Sequence, residues 1–372
     1  MRTGDGEKDD FSLPNFVIRV LLSTMNSFSL TGLLHLFAIT IIIFLNCFNS
    51  NPSENLVVLD GSTMGTYYSI KLIKSDLASS KKTPEDIQAG IDSLLKVVNR
   101  QMSTYINDSE ISRFNQHKNS DWFPVSTDLR YVIEKSIQIS ELSGGAFDIT
   151  VGPVVNLWGF GTEERIQEIP TDEELQERMA FIGYQNLSVN PSPSSIKKRE
   201  INLYCDLSAI AKGFGVDKIT EYLDSFTIHN YLVDIGGEIK TRGRNQKGLL
   251  WKIGISTPDN KFGIQKVVLL ENKAVATSGD YRNYFESDGQ RYSHTIDPTT
   301  GKPITHKLAS VTVLHDTCMI ADALATTIDV MGPDKGYEFA IAQELPVFMI
   351  VRENDRFVEK MTPGFEKYLS QD

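Results

Sequence analysis

Asp322 and Thr326 stand four residues apart in Ala321-Asp322-Ala323-Leu324-Ala325-Thr326-Thr327. On a helix, side chains at that spacing share one face. A carboxylate beside a hydroxyl offers the hard oxygen donors that Mg²⁺ takes, usually together with a substrate phosphate. An ordinary polar helix face looks the same, so the pair decides nothing alone. In Asp206-Leu207-Ser208-Ala209-Ile210-Ala211-Lys212-Gly213, Asp206 or Ser208 would cap a helix beginning near Ala209. Free amides and Lys212 at such a helix start suit a phosphate, although Asp and Ser serve equally as plain caps. His294 precedes the turn Asp297-Pro298-Thr299-Thr300-Gly301. A histidine there can take a proton from a hydroxyl attacking a metal-bound phosphate, or it can be a hydrogen-bonded loop residue. Asp297 reads as a turn or orienting residue.

Three further clusters are punctuated by glycine: Gly144-Gly145-Ala146-Phe147-Asp148, Asp234-Ile235-Gly236-Gly237-Glu238 and Ala276-Thr277-Ser278-Gly279-Asp280-Tyr281. Glycine lets backbone approach a flat ligand or a phosphate closely. Tyr105 and Phe147 can face an aromatic ring or simply fill core.

These residues need elements to hold them. Thr83-Pro84 opens a helix, with Thr as cap and Pro at the first position. Ile87, Ile91, Leu94, Leu95, Val98 and Met102 follow at helical spacing. A second helix runs from about Asp128 to Leu142 and stops at Gly144-Gly145. A third starts near Thr171. Residues 192–199 read as a polar, exposed loop. Strands are expected from Leu56 to Leu72, broken by residues 61–65, and at 231–235, 251–256, 265–270 and 311–314. A helix over 319–331 is ended by Gly332-Pro333. The mixture gives an α+β class without repeats.

Familiar templates are missing. There is no G-x-x-x-x-G-K-[ST], no complete dinucleotide fingerprint, no G-x-S-x-G and no H-E-x-x-H. Cys47, Cys205 and Cys318 form no C-x-x-C pair, which argues against a zinc knuckle, and they give no disulfide framework. Net charge is -11 with no basic stripe, so nucleic acid is not an expected partner.

Between Arg19 and Glu54 there is no Asp, Glu, Lys or Arg. The apolar run centred on residues 33–45, with its flanks, is long enough for roughly 30 Å of hydrocarbon. Arg2, Lys8 and Arg19 precede it, and no basic residue follows until Lys71. That asymmetry keeps the tail in the cytoplasm and exports the rest. The expected organisation is a cytoplasmic tail at 1–27, a transmembrane anchor or signal segment at 28–48, a linker at 49–55 and a catalytic domain at 56–372. Cys47 also allows a lipoprotein reading, although Phe44-Leu45-Asn46 departs from the small residues expected before an acylated cysteine. Either outcome leaves the domain tethered at the inner membrane on the periplasmic side.

In order along the chain, Met64-Gly65-Thr66, Met102-Ser103-Thr104-Tyr105, Gly145-Ala146-Phe147-Asp148, Asp206 to Gly213, Asp234-Ile235-Gly236-Gly237, Thr277-Ser278-Gly279, His294 to Pro298 and Ala321 to Thr326 resemble the ApbE family of FAD:protein FMN transferases. The resemblance covers about Gly61 to the C-terminus. It implies a single two-lobed α+β catalytic domain that uses FAD as substrate and Mg²⁺ as cofactor. FAD would lie along Met64, Tyr105, Ala146, Phe147, Asp148, Asp206, Lys212 and Ile296. Mg²⁺ would be held by Asp322, the Thr326 hydroxyl and backbone oxygens at Ala209 and Ala325. His294 matches the histidine thought to assist proton transfer. The implied reaction moves FMN from FAD to a Thr or Ser of an acceptor protein, a subunit of a membrane redox complex, and releases AMP. Attack by water would instead make an FAD pyrophosphatase, and a non-catalytic flavin carrier or an exported scaffold also stays open. Cys205, where an aliphatic residue is usual, fits as core filler.

Overall fold

The computed structural model describes residues 55–163, 168–258, 263–279, 284–287, 290–354 and 356–370. The expected tail and anchor, Cys47, the linker up to residue 54, and Asp280-Tyr281 lie outside the described residues. Among the described residues no helix is long and apolar enough to cross a membrane.

Leu56–Asp372 forms one compact unit. It opens with β1 (Leu56–Thr63) and β2 (Thr66–Ile73), paired antiparallel with Thr63 opposite Thr66. The two linking residues, Met64 and Gly65, have φ of 50° and 70°, the left-handed pair that a two-residue hairpin requires. The helices α1 (Lys74–Ser80), α2 (Pro84–Met102) and α3 (Glu110–Gln116) follow. At the start of α2 the Thr83 hydroxyl accepts from the Asp86 N–H while the Asp86 carboxylate accepts from the Thr83 N–H, a reciprocal cap. Ile87, Ile91, Leu95, Val98 and Met102 face inward, as their spacing predicts.

The middle of the chain holds β3 (Phe123–Pro124), α4 (Thr127–Leu142), α5 (Gly152–Leu157), α6 (Asp172–Met179), β4 (Leu187–Pro191) and β5 (Ser194–Lys198). The exposed loop expected at 192–199 is largely β5, and Ser195 and Lys198 are buried. The Lys198 ammonium donates to the Asn115 carbonyl at 3.0 Å and the Leu203 carbonyl at 3.1 Å. Burial pushes its pKa down to about 8. The ammonium supplies a donor to two carbonyls, one in the last turn of α3 and one in the loop after β5.

The remainder supplies α7 (Ala211–Ser225), β6 (Tyr231–Ile235), β7 (Glu238–Arg242), β8 (Trp251–Ser256), β9 (Ile264–Leu270), β10 (Ala274–Ser278), β11 (Tyr284–Ser287), β12 (Gln290–Ser293), β13 (Ile296–Asp297), β14 (Lys302–Pro303), β15 (Leu308–His315), α8 (Cys318–Ala342), β16 (Val347–Glu353), β17 (Arg356–Met361) and α9 (Pro363–Glu366). The main sheet has eight strands in the order β1-β2-β6-β7-β10-β15-β16-β17, and each neighbouring pair is antiparallel.

Alternation along these strands builds a layer on each face. Ile70, Leu72, Val233, Ile235, Ala274, Val311 and Val313 belong to the cores packed beneath α2, α7 and α8. Ile73, Leu232, Val275, Leu314, Phe348 and Ile350 face the other way, onto Trp251, Ile253 and Ile255 of β8, Val268 and Leu270 of β9, and Phe365 of α9. The helix expected to stop at Gly332-Pro333 instead bends there. Gly332 takes φ 78°, ψ -176°, and the helix resumes to Ala342. Pro333 cannot continue the ladder, but it fits the first turn of the second segment.

Two helices are fixed to each other by one carboxylate. Asp217 of α7 accepts from the backbone N–H groups of Cys318 and Met319 at 3.0 and 2.9 Å, and from Lys240 of β7 at 2.8 Å. The first amides of α8, whose own N-cap Thr317 contributes no side-chain bond, are thereby satisfied from α7. A Cβ at Gly213 would overlap the Cys318 carbonyl, so only glycine permits this approach of the two helices.

Candidate active site

At one end of the α7–α8 pair lies a cleft of about 600 Å³. The 206–209 loop, the start of α7, the β6–β7 turn, β8, the end of β10, the β12–β13 connection and α8 all contribute to its walls. Gly236 and Gly237 shape the β6–β7 turn with φ of 63° and 106°, and the Asp234 carboxylate accepts from the Gly237 N–H at 2.8 Å.

The charged centre is Lys212 between two buried acids. Its Nζ lies 2.8 Å from Glu238 Oε1 and 3.6 Å from Asp322 Oδ1. Burial alone would lower the lysine pKa, but the Asp322 and Glu238 carboxylates outweigh it and hold the ammonium up. For Glu238, burial dominates over the attraction to Lys212 and raises the carboxyl, and repulsion by Asp322 adds to the rise. Glu238 Oε2 is buried without a hydrogen-bond partner. One ammonium faces two acids, so the centre carries excess negative charge when both are ionised.

Asp322 also serves α7. The N-cap Ile210 gives that helix no side-chain bond, and Asp322 Oδ2 accepts from the Gly213 N–H at 3.0 Å. The helix begins at Ala211 rather than near Ala209. Asp206 does not cap it. Its carboxylate accepts from the Ser208 N–H at 2.9 Å, closing a local turn. Its own N–H donates to the Ile149 carbonyl at 2.7 Å.

His294 sits at the end of β12, with its ring edge-on to Phe160 at 6.5 Å between centroids. Aromatic packing fixes the hairpin that delivers it: Trp158, Phe285 and Tyr292 stack on one another, and Trp158 Nε1 donates to the Gly301 carbonyl at 2.8 Å. Asp297 holds the following turn by accepting from the Thr299 N–H and the Thr300 hydroxyl.

Among the described residues the arrangement thus joins oxygen donors, one ammonium and one imidazole in one cleft. A comparison of the sequence with known families matches residues 64–349 to the ApbE family. The chain belongs to the ApbE family. A protein of Vibrio cholerae named FAD:protein FMN transferase is 49% identical over 321 residues, which cover 86% of this chain and 94% of that one. A Haemophilus influenzae protein of the same name is 44% identical, covering 84% of this chain and 91% of that one. The solved structure of the flavin transferase ApbE from Vibrio cholerae superposes with a TM-score of 0.77 at 47% identity, covering 84% of this chain and 99% of that one.

Of the residues implied by the ApbE resemblance, Tyr105, Asp206, Ala209, Lys212, His294, Ile296, Asp322 and Thr326 line this cleft together. The others lie elsewhere. Met64 borders a separate surface hollow at the β1–β2 turn, and its methyl packs near Gly215. Phe147 is 2% exposed and belongs to the main core. The Asp148 carboxylate accepts from the Thr150 N–H and hydroxyl and from the Tyr184 N–H. Ala146 beside it and the buried Ala325 are not among the lining residues. Cys205 is a core residue held through its backbone by the Asn115 amide, and burial raises its thiol.

Glu238, Thr277, Ser278 and the β8 segment Ile253 to Ser256 also line the cleft and were not singled out as site residues. Glu238 follows a glycine pair already noted, which was the available signal. β8 carries none, because Trp251 to Ser256 reads only as an alternating strand.

Proposed function

We propose that this chain is a Mg²⁺-dependent FAD:protein FMN transferase that joins FMN to a Thr or Ser hydroxyl of an acceptor protein and releases AMP. The observation that carries the reading is the convergence of Asp322, Thr326, Lys212 and His294 on one cleft, in a chain whose relatives bear that name.

The donor set suits Mg²⁺. Asp322 and the Thr326 hydroxyl are hard oxygen ligands, Ala209 at the same cleft would add its carbonyl, and the family resemblance adds the carbonyl of Ala325, the residue before Thr326. The buried, unpartnered Glu238 Oε2 and the two-to-one ratio of acids to ammonium leave negative charge for a cation to offset. Bound there, Mg²⁺ would act as a Lewis acid toward pyrophosphate oxygens.

The chain's own groups do the rest. Lys212 draws the pyrophosphate of FAD into the cleft, while Tyr105 and Phe160 offer rings at its wall. His294 accepts the proton of the acceptor hydroxyl as its oxygen attacks the phosphorus on the FMN side. The bond from that phosphorus to the bridging oxygen breaks, and the bridging oxygen leaves on AMP. Atoms and charge balance with FAD and protein hydroxyl as the only reactants.

We also assign the domain to the periplasmic face of the inner membrane, tethered through residues 28–48 or a lipid on Cys47. This rests on the uncharged stretch between Arg19 and Glu54 and on the basic residues before it. An exported, tethered enzyme meets subunits of membrane redox complexes as acceptors. Alkaline phosphatase fused after Asn55 should then be active, and an inactive fusion that is stably expressed would reverse the topology.

The deciding assay uses residues 56–372 with FAD, Mg²⁺ and a Thr-bearing acceptor domain. Intact mass spectrometry should show an added FMN, with AMP in equal amount, and both should vanish on chelation. AMP with free FMN and an unlabelled acceptor would instead indicate hydrolysis, and bound FAD without either product would indicate a carrier.

A further inference from the structure

We infer that Asp329 is a positioning residue for this reaction: it fastens the strand end that carries His294 to the helix that carries Asp322 and Thr326. The inference rests on the transferase reading above, because it assigns His294 and the Asp322–Thr326 pair to one reaction.

Asp322, Thr326 and Asp329 follow one another on α8 at intervals of four and three residues, which places all three on one helical face. The first two reach the cleft, and the third lies below it, fully buried. Asp329 Oδ2 accepts from the Ser278 hydroxyl at 3.0 Å and from the Thr295 hydroxyl at 3.3 Å. Ser278 closes β10, and Thr295 is the residue after His294. Both line the cleft. A single carboxylate thus grips two cleft walls that are far apart in sequence.

Its main chain is held as firmly. In an unbroken helix the Asp329 carbonyl would accept from residue 333, but that residue is Pro333 and has no N–H. His306 supplies the missing donor, with Nε2 2.6 Å from the Asp329 carbonyl. His306 Nδ1 accepts from the Leu308 N–H at 3.3 Å. Those partners assign a neutral imidazole with its proton on Nε2. Gly332, at φ 78°, leaves room for the His306 ring, which a Cβ would strike. The kink in α8 therefore does more than end a helical segment: it frees one carbonyl for a loop histidine and fixes the turn from which the Asp329 side chain projects.

An apolar residue would fill this space at lower cost, since a buried carboxylate is expensive unless hydrogen-bonded. What the carboxylate adds is bearing. The separation between the proton acceptor and the oxygen pair is set from one rigid helix rather than by a free loop. Misplacement by about 1 Å costs on the order of 100-fold in rate, which gives the scale of what such a fastening protects.

The test uses Thr295→Val, Thr295→Ser and Asp329→Leu, which removes the acceptor oxygens at similar size, in the full exported domain, assayed for AMP release and acceptor labelling at saturating FAD. Thr295→Val should lower kcat by about 10- to 100-fold while FAD affinity, read by fluorescence titration, stays within about twofold. Thr295→Ser keeps the hydroxyl and should stay within about threefold of the parent. Asp329→Leu should fall like Thr295→Val, and the double variant should be no worse than the less active single, because both remove one linkage. Unchanged kcat in Thr295→Val, FAD affinity falling in step with kcat, or multiplicative losses in the double variant would each overturn the positioning role. If Asp329→Leu does not fold, the contrast between Val and Ser at position 295 decides alone. Absent turnover by the unaltered protein would defeat the transferase reading and this inference together, whereas normal turnover with intact variants defeats only the inference.

Discussion

Asp322→Asn is expected to lose at least about 100-fold of Mg²⁺-dependent turnover while the protein stays folded. The substitution keeps size and shape, and the Asn carbonyl can still accept from the Gly213 N–H that Asp322 now satisfies at 3.0 Å. The α7 start therefore keeps its remote cap. What disappears is the negative charge that both Lys212 and the cation need. Loss of a Lewis acid's stabilisation of transition-state charge is worth several kcal/mol, and each 1.36 kcal/mol is tenfold in rate, so about 3 kcal/mol already gives roughly 100-fold. The check is turnover against Mg²⁺ concentration for wild type and variant, with circular dichroism for folding and fluorescence for FAD binding. FAD binding should survive with reduced affinity, since Lys212 still has Glu238 to hold it in place. Thr326→Val should show a weaker form of the same defect. A variant at position 322 with the wild-type response to Mg²⁺ would remove the cation from α8.

How much of this was legible beforehand varies with the range of the interactions. Local patterns were readable: the Thr83-Pro84 start with its inward Ile87, Ile91 and Leu95, the helix ending near Leu142, and the strand before Gly236-Gly237 all stand where propensity and periodicity put them. The Asp322–Thr326 pair was readable for the same reason, as helical spacing is a short-range fact. Contacts that span the chain were not. Nothing near Lys212 announces that Glu238 and Asp322 will clasp it. The missing cap of α7 gives no hint that residue 322 will provide it. Lys198 looked exposed because lysines usually are, and its burial is made tolerable by the carbonyls of Asn115 and Leu203 and by the Phe114 ring beneath the ammonium. Resemblance extended the view to the whole motif set, yet it could not separate ligand contacts from the scaffolding beside them. Phe147 and Asp148 sit in such a motif, and here the ring packs in the main core and the carboxylate accepts from Thr150 and Tyr184.

His294→Ala should cost about 10² to 10⁴ in turnover, the usual range for removing a positioned proton acceptor. FAD binding should change little, because the charged contacts lie around Lys212 and the imidazole stands apart on the β12–β13 connection. Folding should also hold, since the packing of Trp158, Phe285 and Tyr292 that fixes the hairpin does not include the imidazole. Acceptor labelling and AMP release should fall together if both follow from one attack by the protein hydroxyl. Adding free imidazole offers a sharper check. A small base that enters the space vacated beside Phe160 should restore part of the labelling in His294→Ala and none in Asp322→Asn, whose defect is in charge stabilisation. Loss of labelling with undiminished AMP would show that water still attacks without His294, and would confine the histidine to activating the acceptor. Full activity in His294→Ala would leave the cleft without the base assigned to it, and the proton of the attacking hydroxyl would need another destination.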